Sequence, residues 1–181
     1  MIIPDTRNVE DRYKIYWTTE AIKADLDARR HNFSVLCANI QGDFNIGSVI
    51  RNANAFLARE VVIYGNKKYD RRGCVGTHLY TNFHHVHSYD IQQILTTFKD
   101  SIIVGIDNTE GAKDINSFDW DADRHILLCF GEEGSGLPEE IKSICHHMVY
   151  IKQYGSVRSL NVGCASSIAM YDLVSKVLRK D

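Results

Sequence analysis

Five short apolar runs rich in β-branched residues recur along the chain: FSVLCANI from Phe33, EVVIYG from Glu60, SIIVGID from Ser101, HILLCFG from His125 and HMVYIK from His147. Each is strand-length and nearly continuous, as strands buried on both faces of a parallel sheet are. Helical patterns separate them. TTEAIKADLDARRH from Thr18 precedes the first run, and IGSVIRNANAFLA follows it. YDIQQILTTFK and PEEIKSIC come later, and a closing helix is predicted from about Ser159 to Lys180. This alternation predicts an α/β fold on a parallel sheet. Residues 66–87 carry the least regular pattern and read as a loop region.

The chain has 181 residues, 44% of them hydrophobic, which suits one domain with a full core. We read residues 1–181 as that one domain, with 1–30 a helical extension. A net charge of −2 argues against a generally basic nucleic-acid binder, though not against local basic patches. The five cysteines form no C-x-x-C pair, and Cys37, Cys129 and Cys164 lie in apolar runs. They read as buried free thiols of a reducing compartment. The first residues lack a signal-peptide pattern, and no run is long enough to span a membrane. A cytoplasmic location with no membrane partner is expected.

The stretch GEEGSGLPEEI, residues 131–141, joins an apolar run to a helix start. Gly131 and Gly136 match the outer glycines of a phosphate-binding loop, but Leu137 and Pro138 stand where Lys and Ser/Thr are needed. Glu132 and Glu133 would repel a triphosphate. A nucleophile elbow around Ser135 fails, because Glu133 and Leu137 occupy its glycine positions. Pro138 at the first helical position, followed by Glu139 and Glu140, makes a good helix start. That leaves three glycines before it. Such density lets backbone approach a ligand closely, and a ligand that tolerates carboxylates is cationic or a hydrogen-bond donor.

Two other stretches stand out. In NIGSVIRNANAF, Asn45 is a plausible helix N-cap, and Ile46, Ile50, Ala53 and Leu57 form the apolar face. Gly47, Arg51, Asn54 and Ala58 form a separate stripe, with Gly47 opening space one turn before Arg51. Spacing alone also fits a solvated surface arginine. In VRSLNVGCASSIAMYDLV, Ser159 is a candidate cap, and residues 162–170 are apolar or small almost all round, as in a buried helix. Ser159 and Asn161 place polar side chains where helix N–H groups are free.

Together and in this order, the three stretches resemble the SPOUT superfamily, in its SpoU/TrmH branch of RNA ribose 2′-O-methyltransferases. NIGSVIRNANAF is similar to motif 1 (N-x-G-x-x-x-R), LLCFGEEGSGLPEEI to motif 2 (core G-N-E-G-x-G), and RSLNVGCASSIAMYD to motif 3. The resemblance covers residues 33–179, and the separate N-terminal RNA-binding domain that many members carry is expected to be absent. It implies an α/β fold with a C-terminal trefoil knot, S-adenosylmethionine as cofactor, and a homodimer. By position it assigns Asn45, Arg51, Glu133, Ser159 and Asn161 as catalytic residues. It assigns Gly131, Glu132, Gly134, Gly136, Leu137, Ile151, Ser156 and Leu160 to the cofactor. Glu132 stands where the family usually has Asn, and Asp43 where a proline is common.

The implied activity is methyl transfer to a ribose 2′-hydroxyl, with tRNA the expected substrate. The alternatives are rRNA, a base-methylating relative, or a non-catalytic RNA-binding relative. The sulfonium methyl is already activated, so the enzyme must hold the 2′-hydroxyl in line and help it lose a proton. Positioning alone supplies about 7–11 kcal/mol. A guanidinium cannot act as a simple base, so Arg51 is expected to stabilise the developing alkoxide or to hold a phosphate that takes the proton.

For RNA, Lys67, Lys68, Arg71 and Arg72 crowd one stretch, with Tyr64 and Tyr69 available for stacking. Arg29, Arg30 and His31 form a second basic cluster. In FHHVH, His85 and His87 share one face of an extended segment, but no third ligand is evident, and no metal site is expected.

Overall fold

The computed structural model describes residues 13, 17–39, 45–88, 90–132, 134–157 and 159–178. Seven strands form one all-parallel sheet: β1 (Phe33–Asn39), β2 (Val61–Gly65), β3 (Phe83–Val86), β4 (Ile102–Ile106), β5 (Lys113–Asp114), β6 (Ile126–Phe130) and β7 (His147–Tyr150). Their order is β3-β2-β1-β6-β4-β7-β5. The central strand β6 pairs with β1 and β4, and Leu128 is the partner of both Val35 and Val104. The five apolar runs of the sequence are strands β1, β2, β4, β6 and β7. The order is consistent with a C-terminal knot.

Alternate strand residues feed two cores, one on each face of the sheet. Val35, Cys37, Ile63, Val104, Leu128 and Phe130 join one, with helices α2 (Ile46–Ala55) and α5 (Val162–Leu173) over them. Leu36, Val62, Tyr64, Ile103, Leu127 and Cys129 join the other, under α3 (Ile91–Thr97) and the single turn α4 (Glu139–Lys142). Each fully buried Leu, Ile or Phe contributes about 1.5–3 kcal/mol. Helix α1 (Thr19–Asp27) starts at Thr18, whose Oγ1 accepts from Ala21 N–H, and buries Ile22 and Leu26 beside Tyr13 and Tyr80.

The structure departs from the sequence reading at several points. Residues 66–87 are not one loop. They hold two 3-10 turns, Arg71–Cys74 and Thr77–Leu79, and the edge strand β3. Pro138 occupies the N-cap rather than the first helical position. The closing helix begins at Val162, because Asn161 and not Ser159 caps it, and it ends in a π-helical turn, Val174–Leu178. Cys37, Cys74 and Cys129 are buried, but Cys164 is exposed on the first turn of α5. Burial pushes the Cys74 thiol up to about 11.

Candidate active site

The carboxyl ends of β4, β6 and β7 and the start of α5 enclose a cavity of about 420 Å³. Ligands of open α/β sheets bind at such carboxyl-end crevices. The apolar wall is Ile106, Phe130, Ile151, Leu160, Val162 and Ala165. The polar groups are Asp107, Asn108 and Thr109 after β4, the glycine loop after β6, Lys142, Gln153 and Ser159.

The loop after β6 folds back on itself. Glu132 N–H donates to Gly136 O (3.1 Å), and Gly136 N–H to Glu132 O (2.8 Å). Its glycines have different causes. A Cβ on Gly131 would stand 2.1 Å from Gly136 C, so the closed loop itself excludes a side chain there. Gly136 has φ +69, and a Cβ would meet Asp107 Oδ2 at 2.6 Å. Gly134 has nothing within 4 Å and lines the cavity. Only Gly134 is therefore left to give a ligand close approach, and the other two serve the loop. The loop is pinned from β4: Asp107 Oδ2 accepts Leu137 N–H (2.9 Å), and Asp107 Oδ1 accepts Asn108 N–H (2.8 Å).

A second set of bonds joins the cavity to α2. Asn161 Oδ1 accepts from Gly163 N–H (2.9 Å) and Cys164 N–H (3.3 Å), capping α5. Its Nδ2 must then face away, and it donates to Asn45 Oδ1 at 2.8 Å. Asn45 sits at the N-cap of α2 but makes no side-chain cap bond. Behind them Asn52 Nδ2 donates to Gly163 O (2.7 Å) and Ser166 Oγ (3.0 Å). A Cβ on Gly163 would lie 2.9 Å from Ser48 Cβ, which shows how closely α2 and α5 approach.

Of the predicted residues, Gly131, Glu132, Gly134, Gly136, Ile151, Ser159 and Leu160 line the cavity. Asn45 and Asn161 meet beside it, and Glu133 lies outside the described residues. Arg51 is exposed on α2. Leu137 does not line the cavity: its N–H is taken by Asp107 and its side chain is buried in the core against Gly105. Ser156 is exposed and does not line the cavity. Gly47 does not open space for Arg51: a Cβ there would stand 2.8 Å from Asp70 O and Gly73 Cα, so it seats the Arg71–Cys74 turn on α2.

The basic clusters change too. Arg30 is buried and held by Asp27 (2.6 Å), Ala58 O (2.9 Å) and Tyr80 O (2.6 Å), which removes it as an RNA contact. Arg29 is bound to Asp25 and Tyr13. Arg72 forms a two-pronged pair with Asp70 (2.9 and 2.5 Å). Tyr64 is fully buried and donates to Ser88 O, so it cannot stack on a base; burial, with Glu140 beside it, pushes its phenol to about 12. Lys67, Lys68, Arg71 and Tyr69 line a separate groove. In the His-rich segment, His85 Nε2 meets Gly65 O at 2.8 Å and the His85 ring packs edge-on to His87.

Sequence reasoning missed Asp107, Asn108, Thr109 and Lys142. The available signal was DNT directly after an apolar run, where a strand delivers polar groups to the ligand end of the sheet.

This fold is shared with solved methyltransferases of the SpoU/TrmH class. The SpoU methyltransferase AviRb of Streptomyces viridochromogenes, solved in complex with AdoMet, superposes with a TM-score of 0.70 at 26% identity over 81% of this chain and 58% of that one. The Aquifex aeolicus TrmH/SpoU tRNA modifying enzyme gives a TM-score of 0.72 at 23% identity over 85% of this chain and 79% of that one. The SpoU rRNA Methylase family model matches residues 32–171, and the chain belongs to that family. By sequence it is 24% identical over 151 residues to an Aquifex aeolicus tRNA (guanosine(18)-2′-O)-methyltransferase, covering 81% of this chain and 71% of that protein. A TrmH-family protein of Bacillus subtilis is 22% identical over 156 residues, 85% of this chain. The chain spans 63% of that relative's length, and 60% of the next, from Staphylococcus epidermidis.

Proposed function

We propose that this chain is an S-adenosylmethionine-dependent RNA methyltransferase that modifies a ribose 2′-hydroxyl, with tRNA as its substrate. The observation that carries the reading is the direct Asn161–Asn45 bond, which ties a small-molecule-sized cavity to the helix bearing Arg51. The cavity suits the cofactor chemically. Its apolar wall accepts an adenine, Glu132 offers negative charge to a sulfonium or ammonium, and among the described residues Thr109 Oγ1 is buried with no hydrogen-bond partner. A buried hydroxyl without a protein partner calls for a water or a ligand to satisfy it. When bound, S-adenosylmethionine supplies an activated methyl group.

The chain's own residues do the rest. The loop after β6, pinned by Asp107, walls one side of the cavity with Gly131, Glu132, Gly134, Ser135 and Gly136. Ser159 and Asn161 stand between cavity and α2, where a ribose must enter. Arg51 stabilises the alkoxide oxygen or holds an adjacent phosphate. Tyr154 and Val157, in the segment before α5, and Ile168 and Tyr171, on α5, are exposed apolar side chains. A second copy of the chain covers them in a two-fold dimer.

Incubation with methyl-labelled S-adenosylmethionine and separate tRNA and rRNA pools tests the reading. The expected product is a labelled ribose in tRNA, recovered as an alkali-resistant dinucleotide. Label on a base, or absence of cofactor binding by the folded protein, contradicts it. Label in rRNA alone moves the substrate and keeps the chemistry.

A further inference from the structure

A second concavity, about 750 Å³, opens at the β3 edge of the sheet, away from the cavity described above. Ile63 forms its floor, Tyr69 and Phe83 its aromatic wall, and Lys67, Lys68, Arg71, His84 and His85 its rim. The Tyr69 and Phe83 rings lie 6.5 Å apart and 33° from parallel, and Phe83 is 36% exposed despite its size. Of the acids nearby, Asp70 is bound by Arg72 and Glu60 contacts His84. The fixed charges that line the groove itself, Lys67, Lys68 and Arg71, are all positive.

We propose that this groove holds one unpaired nucleotide of the RNA substrate, on the same strand as the modified one, with its base stacked on Phe83 and its phosphates against Lys67, Lys68 and Arg71. The proposal rests on the RNA-methyltransferase reading for its partner. An exposed aromatic ring beside cationic side chains is how single-stranded nucleic acid is held. A duplex offers no free base face to such a ring, and its deep major groove admits no side chain to the bases. A protein partner needs about 800 Å² of complementary surface, whereas only Ile63, Tyr69 and Phe83 are apolar here.

Continuity with the active site supports the same occupant. The turn carrying Arg71 is seated on α2 through the Gly47–Gly73 contact, and α2 carries Arg51 and is bonded at its start to Asn161. The groove and the reacting ribose are thus referred to one rigid helix. A strand of RNA crossing α2 meets both.

The test is fluorescence anisotropy with a labelled pool of random single-stranded RNA heptanucleotides, at about 50 and 200 mM salt. The intact chain is compared with Phe83→Leu, Phe83→Trp and the double variant Lys67→Ala/Lys68→Ala. Calorimetry with S-adenosylmethionine is run on each as a check of fold and of the other site. Phe83→Leu is expected to weaken RNA binding about 5- to 100-fold, and Phe83→Trp to preserve it. The double lysine variant is expected to flatten the salt dependence by roughly 0.7 in log–log slope for each phosphate it no longer neutralises. Cofactor affinity stays unchanged in all three.

RNA affinity within twofold of normal in folded Phe83→Leu overturns the proposal, as does an intact chain with no RNA affinity. So does an acidic heptapeptide that binds as tightly as RNA with the same dependence on Phe83, which would assign the groove to a protein segment. An intact chain that binds RNA through Phe83 but takes up no cofactor removes the methyltransferase reading and leaves the groove as an RNA site.

Discussion

Arg51 is exposed on α2, and among the described residues no hydrogen bond or ion pair holds its guanidinium. A surface arginine of that kind is replaceable by lysine at a cost below about 0.5 kcal/mol. A guanidinium that meets a phosphate or alkoxide with two parallel N–H groups is not, because an ammonium cannot reproduce the planar fork. Arg51→Lys is expected to leave the fold, the proposed dimer and S-adenosylmethionine affinity unchanged. Methyl transfer falls by roughly 10²–10³, the drop typical of removing one transition-state interaction. Single-turnover kinetics on the natural RNA, with calorimetry for the cofactor, checks this; near-normal turnover returns Arg51 to a solubility role. Asp107 illustrates the opposite kind of residue. It holds Leu137 and Asn108 backbone N–H groups and so shapes the loop without needing to touch the substrate.

Helix α2 packs against both α5 and the basic turn, and Gly47 is a point of close approach to that turn. Alanine there gains helix propensity, worth at most about 1 kcal/mol. Against this, its Cβ would stand 2.8 Å from two backbone atoms of the basic turn, which cannot rotate away. Overpacking of that kind costs about 1–3 kcal/mol, so the clash wins. Gly47→Ala is expected to lower the urea midpoint and to displace Arg71, weakening RNA binding while S-adenosylmethionine affinity holds. A stability gain would show that the turn yields freely. The sequence made α2 legible because its apolar spacing is regular, and motif order made the three loop-and-helix stretches legible together. It hid what depends on strand order. Asp107 reaches the glycine loop only because β4 lies beside β6, and no spacing along the chain encodes that. Strand β3 was hidden because FHHV lacks the continuous apolar signal of a central strand, as befits an edge, and β5 because it has two residues. Arg30 read as surface charge because nothing local announces that two carbonyls, of Ala58 and Tyr80, wait for it across the fold.

The molecule as a whole is polarised along its strands. Its cavity sits at the carboxyl ends, and a structural lock sits at the amino ends, where His125 Nε2 meets Ser34 Oγ (3.0 Å) and its ring stacks on Phe98. Ser101 Oγ approaches His125 Nδ1 from the other side at 3.4 Å. Burial holds the His125 imidazole below its ordinary value, aided by Arg59 and opposed by Glu60. Burial also lowers His78 and His147. For each, the folded state binds a proton less readily than the unfolded chain, whose value is about 6.5. Between the two values the unfolded state carries more protons, so stability falls as pH falls. The contribution is intact above about pH 7.5, declines below about 6.5, and is fully lost once the pH lies under the folded values. Asp27 adds a separate, more acidic limb. Burial raises it, but hydrogen bonds from Arg30, Lys23 and Asn82 outweigh burial and hold it below 3.8, so its contribution is lost only as pH falls through that lower value. Urea midpoints are therefore expected to drop from pH 7.5 to pH 5.5, before Asp27 is involved. His125→Gln keeps an amide to bridge the two serines and removes the titration. Its midpoint is expected to be lower than normal at pH 7.5, for loss of the ring on Phe98, and to change less between the two pH values. S-adenosylmethionine affinity at pH 7.5 should be untouched, because the lock and the cavity lie at opposite ends of the sheet. An unaltered pH slope in His125→Gln would show that the acid sensitivity arises from other groups.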